Sequence, residues 1–174
     1  MSPFDQIQEQ EARRDAALEA LTARIPYVQF LGVRFERLGD ELTARLEFDP
    51  KLIGNPILPA LHGGAMGGFL EITAIMQLAW DQTWGILRRG GPEAEAIAAG
   101  RFPATPKTVD LTIDYLRSAR ARSAFARAQV TKQGRRVANV RVEAWQDERD
   151  RPVAAAHGHF LLPEAGDGAS DPAK

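Results

Sequence analysis

The sequence predicts an α+β fold: six mostly antiparallel strands wrapped around one long apolar helix, with an extra helix at the N-terminus. Three observations carry that expectation. Residues 63–80 form a mostly apolar stretch with hydrophobicity on nearly every side, as in a helix enclosed by its own protein. Segments before and after it alternate with a period of two, the mark of half-buried strands. Residues 5–24, rich in Glu, Ala, Leu and Arg, read as a separate amphipathic helix closed by Pro26.

Bulk properties narrow the classes open to the chain. Its 174 residues suit one domain with a sizeable core. Lys+Arg 22 against Asp+Glu 23 gives a formal charge of -1, which excludes a general nucleic-acid binder. With no cysteine, disulfides, thiolate metal sites and a Cys nucleophile are ruled out. Residues 1–11 carry charges and no apolar run, so no secretory signal is expected and the expected compartment is the cytoplasm. The stretch 63–80 approaches the length of a membrane span, but Glu71 lies in its middle, Thr73 and Gln77 follow, and no Lys/Arg cluster flanks either end. No membrane partner is expected.

Taken in order, Leu18, Leu21 and Ile25 follow the three-and-four spacing of one apolar helix face. From residue 32 to 48 the period changes to two: Val33 and Phe35, then Leu42, Ala44, Leu46 and Phe48, with Gly39-Asp40 as turn chemistry between them. Pro50, Gly54, Asn55, Pro56 and Pro59 make residues 49–59 a loop. The apolar helix is expected over residues 62–84. A long connection, residues 85–106, follows, with a short helix expected over 93–99; loops of that length commonly serve as lids or binding loops. Four further strands are expected over 108–116, 124–131, 136–146 and 152–162, the first alternating cleanly. The expected organisation is an N-terminal helix in 1–28, one domain in 29–163 and a disordered polar tail in 164–174. The glycine pairs Gly63-Gly64 and Gly67-Gly68 would let the helix approach the sheet closely. The sheet's edges need cover, which favours a dimer with one continuous sheet.

The run Leu61-His62-Gly63-Gly64-Ala65-Met66-Gly67-Gly68-Phe69-Leu70-Glu71 is the sharpest chemical signal. Glycines at a helix start leave backbone N–H groups free on the positive end of the dipole, where they can polarise a carbonyl or hold an oxyanion. Close packing alone is the plainer reading of the glycines. Glu71 is harder to assign to packing. A carboxylate in an apolar helix is costly to bury unless paired or used, and no Lys or Arg lies within two turns on its helix. Nine residues separate His62 from Glu71, so helical geometry points them to opposite sides, about 13 Å apart along the axis. One helix cannot bring both to one carbonyl; two antiparallel copies across a twofold axis can. Two sites per dimer are therefore expected, each shared between subunits.

Other residues carry weaker signals. His157 and His159 share a strand face, a spacing that can bind metal, but no third ligand is apparent and no metal site is expected. Asp110 and Asp114 share a face with Thr112, by default solvated. Arg117, Arg120, Arg122, Lys132, Arg135 and Arg136 occupy two strand-to-strand turns and their flanks; such charges mostly keep a surface soluble, and clustered in space they would hold the phosphates of a nucleotide-bearing ligand.

These residues resemble the hotdog-fold thioesterases of the phenylacetate-degradation and hydroxybenzoyl-CoA type. The likeness covers residues 32–162. It rests on His62-Gly63-Gly64, the acid nine positions after the histidine, the strand Val109-Asp110-Leu111-Thr112-Ile113-Asp114-Tyr115-Leu116-Arg117, the turn Gly134-Arg135-Arg136-Val137-Ala138 and the ending Ala156-His157-Gly158-His159-Phe160-Leu161-Leu162. The resemblance implies a hotdog fold, in dimers that pair into tetramers, acting on acyl- or aryl-CoA with coenzyme A as part of the substrate and no cofactor. It implies catalytic roles for Gly63, whose N–H polarises the thioester carbonyl, for His62, which shapes that turn, and for Glu71 as nucleophile or general base. A Glu at this position resembles the aryl-CoA branch. Two departures stand out: Pro56 occupies the place of a polar residue six before the histidine, leaving Asn55 as its stand-in, and Ile75 replaces a Thr found in some aryl-CoA enzymes. Gly64 and the six basic residues are the expected CoA-binding set. The rival readings are a hydratase or dehydratase of acyl thioesters on the same fold, and a non-catalytic acyl-CoA-binding protein.

Overall fold

The computed structural model describes residues 2–164, so the tail expected to be disordered lies almost wholly outside the described residues. The chain begins with α1 (Pro3–Ala23), capped by Ser2, whose hydroxyl accepts from the Asp5 N–H while the Asp5 carboxylate accepts from the Ser2 N–H. A second short helix, α2 (Pro26–Leu31), was not expected. Pro26 opens it as its first residue rather than only ending α1, and Gly32 closes it in the left-handed region at φ 73°.

Strands β1 (Val33–Leu38) and β2 (Glu41–Leu46) form the expected hairpin around Gly39-Asp40. The expected loop at 49–59 instead holds a 3-10 turn at Pro50–Leu52 and a small hairpin, β3 (Ile53–Asn55) with β4 (Ala60–Leu61). The long helix α3 (Gly63–Arg89) runs five residues past its expected end, and Gly90 stops it at φ 71°. After α4 (Pro92–Ala98) come β5 (Lys107–Tyr115), β6 (Ala124–Gln133), β7 (Val137–Trp145) and β8 (Ala154–Leu161).

The six long strands form one antiparallel sheet in the order β1-β2-β6-β7-β8-β5. Helix α3 packs across β2, β5, β6, β7 and β8. Its buried face presents Met66, Phe69, Leu70, Met76 and Trp80 to an inner sheet surface built largely of small residues: Ala124, Ala126, Ala138, Ala144, Ala154 and Ala156. Close approach of helix to sheet is thus made mainly by strand alanines. Of the four glycines in the first two turns of α3, Gly63 and Gly67 meet β5, Gly68 meets Tyr27 of α2, and Gly64 lies under the His62 ring.

Helix α1 belongs to the same core through Leu18 and Leu21. Arg37 on β1, its side chain only 4% exposed, reaches Glu11 at 2.7 Å and Asp15 at 2.6 Å, and Arg14 lies over the Trp84 ring at 4.1 Å. The Arg37 hydrogen bond holds the Glu11 carboxyl below the ordinary carboxylate range.

Strand β5 departs from the clean alternation expected of it. Its pairing with β8 slips between Thr108 and Asp110, leaving Val109 as the extra residue of a bulge. Gly158 on β8 faces the bulge, and a Cβ there would overlap the Asp110 carbonyl oxygen. The bulge turns Thr108 onto the inner face with Leu111, Ile113 and Tyr115; strict alternation would have put it outside with Asp110 and Thr112.

Candidate active site

His62 is the N-cap of α3, extended at φ -64° and ψ 135°, and its Nδ1 accepts from the Gly64 N–H at 2.9 Å. An accepting Nδ1 is unprotonated, so the ring proton sits on Nε2. The turn is anchored on both sides: the His62 N–H donates to the Leu52 carbonyl at 2.7 Å and the Leu61 N–H to the Ala119 carbonyl at 2.8 Å. Tyr115 at the end of β5 completes the frame, its hydroxyl donating to the Gly63 carbonyl at 2.7 Å. A Cβ on Gly63 would lie 3.3 Å from the Tyr115 ring, so only a residue without a side chain fits easily. The Gly63 N–H has no hydrogen-bond partner among the described residues and is free to meet an acceptor at the positive end of the helix.

The expectation that His62 and Glu71 point to opposite sides does not hold, because His62 lies outside the helix and folds back over Gly64. Gly64 and Glu71 are seven residues apart, which places them within about 20° of each other around the axis. What separates them is length: seven residues span about 10 Å. Distance along the axis, rather than direction around it, is therefore the ground for expecting a second chain at the site.

Glu71 is half-buried among apolar neighbours and has no ion-pair partner among the described residues. Its Oε1 accepts from the Thr108 hydroxyl at 2.6 Å, a short bond that fixes the carboxylate's direction. Thr108 had no place among the sequence candidates, because the alternation that located β5 assigned it to the outer face. Tyr115 was missed for a different reason: it was legible as a strand residue, but nothing in the spacing joins the end of β5 to the start of α3.

The remaining candidates divide. Asn55 spends its side-chain oxygen on the Ile57 and Leu58 N–H groups, at 3.0 and 3.2 Å, shaping the tip of the β3–β4 hairpin. The six basic residues form two groups at opposite ends of the strands rather than one cluster. Arg117, Arg120 and Arg122 follow β5 and, with Arg151, border a cleft of about 320 Å³ that adjoins one of about 440 Å³ beside Gly63. Arg117 donates to the Pro152 carbonyl at 2.7 Å, and Arg122 pairs with Asp147. Lys132, Arg135 and Arg136 lie around the β6–β7 turn, where Arg136 pairs with Glu164. On the outer face, His159 sits 2.9 Å from Asp110 and holds that carboxyl below the ordinary range. No group of three or more metal-ligating side chains occurs among the described residues.

A sheet wrapped on a long helix, with a free N–H at the helix start and Glu71 on its apolar first half, defines a class that the comparisons identify. Residues 84–153 match the model of the Thioesterase superfamily. The chain is 29% identical over 146 residues, 83% of its length and 90% of the relative's, to the medium/long-chain acyl-CoA thioesterase YigI of Escherichia coli. A crystal structure of a Chromobacterium violaceum protein is 37% identical, with TM-score 0.60, over 89% of this chain and 96% of that one. The Escherichia coli PaaI protein from the phenylacetic acid degradation operon shares the fold at 15% identity, TM-score 0.64, over 86% and 93% of the two chains. The chain belongs to the thioesterase superfamily, with the hotdog fold, and is a thioester hydrolase. The matched stretch begins after Glu71, so the reading of Gly63 and Glu71 rests on geometry. No helix of the described residues is long and apolar enough to cross a membrane.

Proposed function

We propose that this chain hydrolyses acyl-CoA thioesters to coenzyme A and the free acid, at sites shared between two subunits. The observation that carries the reading is the Glu71 carboxylate: half-buried on an apolar helix, aimed by Thr108 and without an ion-pair partner among the described residues, it is built to act rather than to pack. The name of the Escherichia coli relative supports acyl groups of medium or long chain.

The way α3 lies on β5 supports the shared site. Gly63 meets Tyr115, Gly67 meets Ile113 and Glu71 meets Thr108, so helix and strand run past each other in opposite directions. Strand β5 is the open edge of the sheet, with Val109 and Tyr115 well exposed. A twofold pairing of β5 with its copy, centred near Thr112, carries the partner subunit's Gly63 toward Glu71. The same operation sets the arginines beyond Tyr115 of one subunit beside Lys132, Arg135 and Arg136 of the other. Pairs of such dimers would give a tetramer.

In the shared site the thioester carbonyl accepts from the Gly63 N–H, and His62 keeps that turn in place by holding the Gly64 N–H. Glu71 removes a proton from water as the water oxygen bonds to the carbonyl carbon. The oxyanion forms at the helix start, the C–S bond breaks, and the thiolate leaves to take up a proton. Alternatively the carboxylate attacks directly and water opens the resulting anhydride. One turnover in ¹⁸O-water reports on the routes, because label enters Glu71 only on the second, when water opens the anhydride at the Glu71 carbonyl.

The test of the function is thiol release from a panel of aryl-, short-, medium- and long-chain acyl-CoA. Glu71→Gln is expected to abolish release with folding intact. Water added to crotonyl-CoA without thiol release would favour a hydratase, and a Glu71→Gln chain that behaves like the wild type in every respect would favour a binding protein.

A further inference from the structure

Two unlike flanks border the face of α3 that carries Glu71. At about 100° per residue, Gly64, Gly68, Glu71 and Ile75 share a strip about 60° wide. The last three are half-buried, neither core nor free surface.

One flank is α2. Its buried side, Val28 and Leu31, joins the core, while Tyr27 stacks on Phe30 at 5.9 Å and the two are 47% and 63% exposed. The Tyr27 hydroxyl lies 2.9 Å from where a Gly68 Cβ would be, and Leu31 lies 3.4 Å from it, so glycine at 68 is what gives the ring room. Gly68 and Glu71 are neighbours on one helix turn, about 5–6 Å apart between their Cβ positions. The tyrosine therefore stands beside the acid, with an aromatic face left open. Packing alone would have buried that ring.

The other flank begins at Gly63 and is basic. The two clefts there share Arg117, Ser118 and Val153, which makes them one continuous passage from the helix start to the arginines. Arg117 and Arg122 are engaged with Pro152 and Asp147, whereas Arg120 and Arg151 have no side-chain partner among the described residues. Asp147 and Glu148 also line the passage, so its balance of charge is cationic.

We infer that the thioester lies across α3 in one direction: its acyl group runs against Tyr27 of the subunit that supplies Glu71, and its nucleotide phosphates reach Arg120 and Arg151 of the subunit that supplies Gly63. An acyl chain gains by leaving water for an aromatic face, and phosphates gain from unpaired guanidinium groups. Exchanging the two halves would place anionic oxygens on the Tyr27 ring, with Lys51, over the Phe30 ring at 5.4 Å, as a neighbouring cation, and hydrocarbon among arginines. This orientation rests on the acyl-CoA reading of the site.

The experiment compares acetyl and octanoyl thioesters on two carriers, coenzyme A and N-acetylcysteamine, the second of which lacks the nucleotide. Tyr27→Ala is expected to lower the octanoyl-to-acetyl ratio of kcat/KM about ten-fold on both carriers, the loss of one aromatic contact. Arg120→Ala with Arg151→Ala is expected to lower the CoA-to-N-acetylcysteamine ratio about ten-fold at either chain length. Tyr27→Leu, which keeps an apolar plug on α2, gives the first effect in smaller measure and serves if the alanine variant does not fold. A chain-length ratio that Tyr27 variants leave unchanged, or a carrier ratio that the arginine variant leaves unchanged, overturns the orientation while hydrolysis stands. A wild-type chain that releases no thiol from any of these esters overturns hydrolysis itself, and the orientation with it.

Discussion

Gly63 offers a substitution that separates its N–H from everything else it does. It is the first residue of α3, where proline is tolerated, and His62 before it already has the extended backbone that a following proline requires. Gly63→Pro removes the N–H, while Gly63→Ala keeps it and adds a similar Cβ against Tyr115. The proline variant is expected to lose about 10²–10³ in kcat and the alanine variant far less, with both retaining the helix by circular dichroism. Thr108→Val removes the hydroxyl that aims Glu71 at nearly constant shape. A fall in kcat of about ten- to hundred-fold with KM little changed, restored by Thr108→Ser, is the expected pattern. Of these residues Glu71 was legible from the chain alone, because a carboxylate in an otherwise apolar helix is conspicuous wherever the helix packs. Thr108 was not, since what brings it to Glu71 is an extra residue in a neighbouring strand, which leaves no trace in the alternation of types.

That extra residue makes β5 and β8 a single device. Gly158 leaves space for the Asp110 carbonyl, the bulge at Val109 uses that space, and Thr108 turns inward as a result. Gly158→Ala is expected to cost about 1–3 kcal/mol by overpacking and to lower kcat through Thr108, a joint loss read by denaturant titration and thiol release on the same sample. The N-terminal elements depend on charge instead. Because the folded-state value of Glu11 is below its unfolded one, its contribution is fully present above the unfolded value and is lost as pH falls through the folded one. Thermal midpoints of wild type and Glu11→Gln should therefore differ near neutral pH and converge as pH falls below the lowered value of the folded state. Helix α1 was visible in composition and spacing. Helix α2 was hidden because a proline shortly after a helical stretch reads as an end, and only the folded chain shows that it also opens the next turn.

Across the whole molecule, the order of elements and the enclosed helix were legible because period-two segments flank one stretch apolar on all sides. The division of the basic residues was implicit in the same pattern, since a single strand, β6, separates the two turns and therefore holds them at opposite ends. The shared site has a direct check at this scale. Subunits carrying Glu71→Gln, mixed and refolded with subunits carrying Gly63→Pro, should recover about a quarter of wild-type activity, because half the dimers then hold one intact site of two. No recovery, or an active monomer by light scattering, would remove the partner from the mechanism.

The two borders of the sheet are not alike. Strand β1 has α1 alongside it, tied by Arg37 to Glu11 and Asp15, and carries Arg34 and Glu36 exposed, whereas β5 has no element beyond its edge among the described residues. A unit with one adhesive border and one blunted border can recruit a single neighbour and then presents only blunted borders. Growth by strand addition would then be self-terminating, so the border used by the proposed shared site would also set the stoichiometry at which a continuous sheet stops, well short of a fibre.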